Sequence, residues 1–199
     1  PNTDFHTMVS EMAKIDRKKA KTINLGLFYG MGKGKLSSEL GLSPGQAEDL
    51  FEKYHSRVPF VKEMIERTMK KAADVGHVRT LLGRKCRFDL WEPSRYGVHR
   101  PLPRDEAERE HGKQIRRAFT YKALNKIIQG SAADMTKKAM ADLHDEGIIP
   151  HIQVHDELDC SFEDEVEKDR ILEIMRNAVQ LEVPVKLDVE EGPSWGKAK

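Results

Sequence analysis

Apolar residues recur at helical spacing along the first eighty residues of the chain. A proline-free stretch ends at Gly30, which is followed by glycines at positions 32 and 34. Glycine is common just past a helix end. Ser43 followed by Pro44 is a typical helix start, because serine caps the first turn and proline suits it. The pattern predicts helices over about 13–30, 47–54 and 59–75.

The pattern changes after Gly76, where residues 77–88 predict a strand, a turn at Gly83 and a second strand. Residues 89–112 contain three prolines, two glycines and many charges, which predicts a loop or an insertion without regular structure. Residues 115–145 predict one long helix, or two helices broken near Gly130. After them the pattern predicts strands over 149–154 and 158–162, a helix over 164–180 and a strand over 185–190. Separate helical and strand-rich regions predict an α+β fold.

The amino-acid composition is typical of a soluble protein with much exposed surface. Charged residues make up 34% and hydrophobic residues 38%, and no run approaches the ~20 apolar residues of a membrane-spanning helix. We expect a cytosolic protein without a signal peptide. The first residue is Pro1 rather than Met, which indicates a processed product or a piece of a longer polypeptide. Cys86 and Cys160 have neither metal-ligand nor redox spacing and are expected to be free thiols.

Charge is distributed unevenly along the chain. Residues 12–38 hold seven Lys/Arg against one Asp, whereas residues 156–191 hold thirteen Asp/Glu against four Lys/Arg. Separate basic and acidic blocks favour one surface that receives phosphate groups and one that does not. The alternative is that both charged blocks are ordinary solvent-exposed surfaces that bind no ligand.

One face of the first predicted helix has the chemistry of a nucleotide-binding surface. Arg17, Lys21, Leu25 and Tyr29 are spaced by four, so a helix places them in a line about 18 Å long. Two cations, an apolar side chain and a ring follow one another in the order of a triphosphate, a sugar and a base. Spacing alone is also compatible with an amphipathic helix that has a solvated basic side.

A second candidate site lies between the strands predicted around residue 155. The centre of this region is His155-Asp156-Glu157, whereas hairpin turns usually contain glycine or asparagine. Two acids at the tip of a buried-looking strand pair cost desolvation and repulsion unless a cation is present. Hard cations such as Mg²⁺ prefer carboxylate ligands. The alternative is a plain surface turn.

The sequence RKKAKTINLGLFYG (17–30) resembles the nucleotide-binding fingers helix of family A, DNA polymerase I-like, DNA polymerases. The resemblance implies that Arg17 and Lys21 contact the incoming triphosphate, with Lys21 also acting in catalysis, and that Tyr29 lies by the templating position. Leu25 departs from the family, which usually has an aromatic residue there, and implies altered sugar discrimination. Asp4-Phe5-His6 resembles the family element whose histidine approaches the phosphates, so His6 is a further nucleotide-binding candidate.

The sequence QVHDEL (153–158) resembles motif C of the same family. The resemblance implies that Asp156 is a catalytic metal ligand, that Glu157 is a weaker outer contributor, and that Gln153 and His155 lie near the primer terminus. It also implies two Mg²⁺ ions, shared with a second aspartate on a D-Y-S-x-I-E-type strand. This chain contains no such strand, which in the family lies upstream together with the thumb.

Two further strings resemble parts of the family that contact DNA. In residues 121–134 (YKALNKIIQGSAAD) the resemblance implies that Asn125 and Gln129 reach the minor groove, where they meet acceptors shared by all base pairs. Tyr121 stands where the family has arginine, which puts that one contact in doubt. The string TLLGRK (80–85) implies that Arg84 contacts the DNA backbone, and residues 192–195 resemble the family's carboxyl terminus.

Together these matches predict the C-terminal part of a right-hand polymerase: a helical fingers subdomain over 1–80, and a palm part with antiparallel strands over 81–199. The palm part would contain a variable loop (89–116) and the motif C hairpin (150–162). The expected function is DNA-directed DNA synthesis with primer-template DNA, dNTPs and an N-terminal polymerase fragment that carries motif A and the thumb. A phage-type origin would place it in the host cytoplasm.

Two other functions compete with this one. The first is a catalytically silent nucleic-acid-binding subunit derived from a polymerase, favoured by the missing second aspartate. The second is an HD-type metal phosphohydrolase, suggested by His155-Asp156. In that class the pair lies on a helix, whereas strand-like residues flank it here.

Overall fold

The structure, a computed structural model, describes residues 7, 9–11, 15–95 and 97–198. The chain divides into two compact units, one formed by Pro1–Arg79 and Arg84–Ile127 and the other by Thr80–Gly83 and Ile128–Lys199. Helices and three small antiparallel sheets confirm the predicted α+β class. None of the helices among the described residues combines the length and apolar character needed to cross a membrane.

Four helices follow one another between residues 17 and 75 of the first unit: α1 (Arg17–Phe28), α2 (Lys33–Leu40), α3 (Pro44–Arg57) and α4 (Pro59–Val75). The predicted start of α3 is confirmed, because Ser43 and Gln46 form a reciprocal capping box that satisfies two backbone donors. The helices enclose one cluster of buried apolar side chains, which includes Ile23, Leu27, Leu36, Tyr54 and Val61.

The predicted strand–turn–strand follows α4. Strands β1 (His77–Arg79) and β2 (Lys85–Arg87) pair antiparallel, with Val78 opposite Cys86. Gly83 has φ +87° in the connecting turn, a conformation that glycine adopts without steric cost. A second cluster of buried side chains in the first unit contains Ala72, Val78, Phe88 and Ala123.

The prediction that residues 89–112 lack regular structure is wrong. They contain strands β3 (Leu90–Pro93) and β4 (Leu102–Pro103) and helix α5 (Arg104–His111), and β5 (Ile115–Arg117) completes a sheet of order β4-β3-β5. The prolines lie at strand ends, which they tolerate. Helix α5 has one buried residue, Ala107, and its charges pair at i,i+4 spacing. A charged helix of this kind leaves little apolar periodicity in the sequence.

A 3₁₀ turn (Thr120–Lys122) leads into helix α6 (Ala123–Asp145), which runs from the first unit into the second. The helix is continuous through Gly130, so the sequence alternative with a break there is excluded. One interior glycine costs about 1 kcal/mol, which the remaining turns of a 23-residue helix absorb.

The second unit continues with β6 (Ile152–Val154), β7 (Glu157–Asp159) and α7 (Glu165–Asn177), and a 3₁₀ turn (Trp195–Lys197) lies near its end. Leu143, Ile148 and Ile171 form its buried cluster. The predicted helix over 164–180 is confirmed, with Asp164 as its N-cap. The predicted strand over 185–190 is wrong, because β6 and β7 pair only with each other among the described strands, and a strand needs a hydrogen-bonded neighbour.

Candidate nucleotide and metal sites

The start of helix α1 is fixed by Asp16. Its carboxylate accepts a hydrogen bond from the backbone N–H of Lys19 at 3.0 Å, which lowers the pKa of Asp16 below its ordinary value. Such a cap satisfies a donor that the helix itself leaves unpaired. At the other end Tyr29 caps the helix through backbone contacts, and Gly30 turns the chain away with φ +86°.

Helix α1 has a buried face and an exposed face. The buried positions are Ala20, Ile23, Asn24 and Leu27. Arg17, Lys21 and Leu25 are exposed, and Tyr29 is half-buried. The side chains predicted from four-residue spacing therefore share the surface that faces away from the core, with Leu25 43% exposed.

A buried hydrogen bond joins α1 to α3. The hydroxyl of Tyr54 donates to Oδ1 of Asn24 at 2.9 Å, and burial raises the pKa of Tyr54 to about 12. Sequence reasoning missed both residues as positioning groups. The available signal was Asn24 itself, a polar side chain among apolar positions of one helix face. The bond fixes the rotation of α1 and therefore the direction of its cationic face.

The aromatic end of this face is also packed. The rings of Phe28 and Tyr29 meet edge to face with centroids 5.9 Å apart. Gly26 lies against the side chain of Met31, whose Cε would overlap a Cβ at that glycine. The chain after the helix returns to Gly26, since the N–H of Met31 donates to the carbonyl of Gly26 at 2.8 Å.

In the second unit, the predicted acidic bend is the two-residue turn of the β6–β7 hairpin. Val154 and Glu157 pair across it, which places His155 and Asp156 at the tip. His155 has φ +54°, a conformation that tight hairpin turns require and that histidine adopts more often than most residues with a side chain; it carries some strain. The side-chain amide of Gln153 donates to the carbonyl of His155 at 2.6 Å and braces the turn.

The hairpin is not buried, contrary to the interpretation of its flanking apolar residues. Ile152 is 40% and Val154 37% exposed, and Asp156 and Glu157 are exposed as well. The strands form a two-stranded sheet without further cover from a described strand. The desolvation that the sequence argument assumed at the tip is therefore absent in this chain.

The donor atoms at the tip fit part of a magnesium site. Among the described residues no three His, Cys, Asp or Glu side chains are placed to hold a metal together. Asp156 and Glu157 nevertheless offer adjacent carboxylates, and Mg²⁺ is usually held by one or two carboxylates plus substrate phosphates. They therefore suit a cation whose remaining ligands come from outside this chain.

A groove of about 520 Å³ adjoins the hairpin within the second unit. Its lining comes from the turn and strand β7, from α7 and from the C-terminal segment, and includes Asp156, Asp159, Lys168, Asp188 and Trp195. Lys168 forms ion pairs with Glu165 and Glu191 at 2.5 and 3.2 Å, which raise its pKa. The pair with Glu191 joins the C-terminal segment to α7, whereas the pair with Glu165 lies within the helix.

The predicted DNA contacts lie at accessible positions. Arg84 is exposed directly after the Gly83 turn, and Asn125 is half-buried and Gln129 exposed on α6. Within the second unit, the backbone N–H of Leu81 donates to Oγ of Ser131 at 2.8 Å and fixes the turn to this helix. His6 lies outside the described residues.

The structure thus groups the candidates in two sets. Helix α1 of the first unit brings together Arg17, Lys21, Leu25 and Tyr29 on one surface. The hairpin of the second unit brings together Gln153, His155, Asp156 and Glu157.

Comparisons with known proteins agree with the resemblance in the sequence. The profile of a family described as DNA polymerase family A matches residues 2–197. A DNA-directed DNA polymerase of Pseudomonas phage M6 is 37% identical over 232 aligned residues, which cover 98% of this chain and 32% of the phage protein. A thermostable DNA polymerase I of Thermus filiformis is 37% identical, with 92% of this chain and 21% of that protein covered.

A solved structure is similar as well. The POL domain of Pol1 from M. smegmatis, in complex with DNA primer-template and dNTP, matches with a TM-score of 0.73 and 30% identity. The match covers 98% of this chain and 35% of that one. The chain therefore spans about a third or less of the length of these relatives.

Proposed function

Because the chain belongs to DNA polymerase family A, whose profile matches residues 2–197, we propose that it acts as the C-terminal portion of a DNA-directed DNA polymerase. The observation that carries the proposal is the exposed face of α1, where two cations, an apolar side chain and a ring stand in the order of a nucleotide. The similar Pol1 structure contains DNA primer-template and dNTP. In this proposal 1–80 forms the fingers and 81–199 the palm part.

In the proposed nucleotide site, Arg17 and Lys21 hold the triphosphate. The guanidinium binds phosphate oxygens bidentately and the ammonium acts as a point charge. Lys21 lies nearer the reacting phosphate and stabilises charge that develops there. Leu25 contacts the sugar, Tyr29 lies beside the base pair, and His6 adds a contact to the phosphates.

In the proposed metal site, Asp156 is the ligand from this chain and Glu157 an outer contributor. Polymerases of this family use divalent metal ions. Two Mg²⁺ ions would stabilise the attacking and leaving oxygens of an in-line phosphoryl transfer. A second aspartate from outside residues 1–199 completes the ligand set. The strained turn at His155 projects Asp156 beyond the ends of both strands, where a substrate can share its cation.

Primer-template DNA would lie along the remaining candidates. Arg84 contacts a backbone phosphate, and Asn125 and Gln129 contact minor-groove acceptors without reading sequence. Gln153 and His155 position the primer terminus. The exposed apolar strand residues of the hairpin would pack against the strand that carries the second aspartate.

Reconstitution tests this assignment. The chain is mixed with a polymerase fragment that carries the missing aspartate strand and thumb, and extension of a labelled primer is followed. We expect extension in the mixture and none with either part alone. Asp156→Ala should abolish extension while DNA affinity stays within about twofold. Lys21→Ala should raise the KM for dNTP about tenfold or more, since it removes a charge-assisted phosphate contact.

A catalytically silent nucleic-acid-binding subunit is the second candidate function. It is favoured by the absence of a complete metal-ligand set among the described residues. Intact DNA binding together with no extension in any mixture supports that function and contradicts the proposed one. Near-parental rates for both variants would refute the assignment of the two sites.

A further inference from the structure

An aromatic side chain outside the proposed sites stands in a strongly basic stretch. Tyr121 is 55% exposed in the 3₁₀ turn that leads into α6. Residues 113–133 contain five Lys/Arg and no Asp or Glu. A scattered exposed ring needs no explanation, but a ring in a stretch rich in cations is typical of surfaces that bind single-stranded nucleic acid. One of these cations, Arg116, is paired with Glu92 at 3.0 Å.

The turn that carries Tyr121 is held rigidly. Phe119 has φ +61°, an outlier for a bulky residue, and such strain persists only where the surroundings enforce it. Here the ring of Phe119 packs against the buried cluster that contains Val78 and Phe88. The N–H of Lys122 donates to the carbonyl of Phe119 at 2.9 Å, which closes the turn. These contacts fix the backbone of the turn, from which the Tyr121 ring stands 55% exposed with its centroid 6.4 Å from that of Phe119.

The strand before the turn is anchored as firmly. The guanidinium of Arg117 donates to the carbonyls of Ala73 and Phe88 at 3.1 and 2.9 Å. The N–H of Ala118 donates to the carbonyl of Leu90 at 2.8 Å. A contact residue on such a support loses little conformational entropy on binding.

Lys122 places a positive charge beside the exposed ring. Its ammonium lies 4.8 Å from the centroid of Phe119 and 5.6 Å from that of Tyr121. The N-terminal end of the 23-residue helix α6 adds a partial positive charge at the same place. The ammonium lies over one face of the Tyr121 ring. A base can stack on the opposite face while the ammonium meets its neighbouring phosphate.

We propose that Tyr121 and Lys122 form a contact to the unpaired template strand, in which the Tyr121 ring stacks on a nucleobase and the Lys122 ammonium neutralises a backbone phosphate. Asn125, a proposed duplex contact, follows Tyr121 by four residues, about one helical turn. The stacking site would therefore receive the template where it leaves the duplex. This inference rests on the proposed function, because it requires that the chain bind primer-template DNA.

The test is fluorescence anisotropy of the full chain with two DNAs, a primer-template with a single-stranded template overhang and the corresponding blunt duplex. Tyr121→Ala should weaken binding to the overhang DNA by about five- to a hundredfold and binding to the blunt duplex by less than about twofold. Tyr121→Phe should bind like the parent, because the ring and not the hydroxyl makes the contact. Lys122→Ala should reduce the dependence of log K on log salt concentration by about one charge.

Phe60→Ala is the matched control. Phe60 is also 55% exposed and lies at the start of α4, outside residues 113–133, so its variant should bind both DNAs like the parent. Parental affinity of Tyr121→Ala, or an equal loss on both DNAs, overturns the stacking contact while the proposed function stands. A parent chain that binds neither DNA overturns both.

Discussion

Replacing Tyr54 with phenylalanine should change both the stability of the protein and the dependence of that stability on pH. The substitution removes the hydroxyl that donates to Asn24 at 2.9 Å and keeps the ring in the helical core. At neutral pH the variant should be less stable by about 1–2 kcal/mol, because a buried hydrogen bond is lost and its partner is partly desolvated.

The sign of the effect reverses at high pH. Burial raises the pKa of Tyr54 from 10.0 to about 12, so the folded state keeps a proton that the unfolded state releases. The contribution of the neutral hydroxyl is fully present below pH 10 and is lost as pH rises towards 12. The parent should lose about 1.4 kcal/mol by pH 11 and about 2–3 kcal/mol beyond pH 12 relative to the variant.

Urea denaturation at pH 8 and at pH 12 measures both effects. The unfolding of the first unit is followed by the fluorescence of Trp91 in a Trp195→Phe background. The difference in unfolding free energy between parent and variant cancels the contribution of the other groups that titrate in this range. We expect the parent to be the more stable at pH 8, parity near pH 11 and the variant to be the more stable at pH 12. A difference of unchanged sign and size at both pH values would refute the burial of the Tyr54 hydroxyl and its role in orienting α1.

Other expectations concern single positions. Gly76→Ala should cost about 1–3 kcal/mol in urea denaturation, because Gly76 has φ +77° and an added Cβ would lie 2.7 Å from Cζ of Arg117. Gly41→Ala should cost less unfolding free energy, because Gly41 has φ +64° and open space around it. Equal losses for the two variants would contradict a steric contribution from Arg117 at Gly76. Ser43→Ala should cost about 0.5–2 kcal/mol through the lost cap, and an unchanged urea midpoint would argue against it. In the reconstituted polymerase, Leu25→Tyr should change the incorporation of nucleotides that lack a 3′-hydroxyl, and a ratio equal to the parent's would refute a sugar contact at Leu25.

Helices with strong end signals were predictable from the sequence. Ser43, Pro44 and the glycine at position 76 act within a few residues of their own backbone, so their effects do not depend on distant parts of the chain. The face of α1 was predictable for the same reason, since four-residue spacing is a local property. The order of Arg17, Lys21, Leu25 and Tyr29 along that face required nothing from tertiary structure.

What the sequence could not predict depends on partners distant in the chain. Residues 102–111 form β4 and α5 because β3 pairs with β4, and the guanidinium of Arg104 lies 5.1 Å from the centroid of Trp91. The apolar residues at 152 and 154 suggested burial, yet they are exposed because no described strand covers them. A binary pattern indicates which face should be covered, but it does not show whether the covering element belongs to the same chain.

The positioning of the proposed nucleotide-binding face of α1 was hidden for a similar reason. Asn24 reads as a polar interruption of an apolar pattern, and only the approach of Tyr54, thirty residues later, explains it. The left-handed backbone at Phe119 has no signature in the sequence, because a bulky residue rarely adopts it, whereas histidine, as at position 155, is among the residues that adopt it more often.

Single-nucleotide incorporation by the reconstituted polymerase tests the role of Asp156 most directly, with Asp156→Asn compared with Asp159→Asn in the same hairpin. Asparagine keeps the size of the side chain and removes the charge that a shared cation requires. We expect the rate to fall more than about a hundredfold for Asp156→Asn and to stay within about threefold of the parent for Asp159→Asn. Equal rates for the two variants would contradict a catalytic carboxylate at this turn.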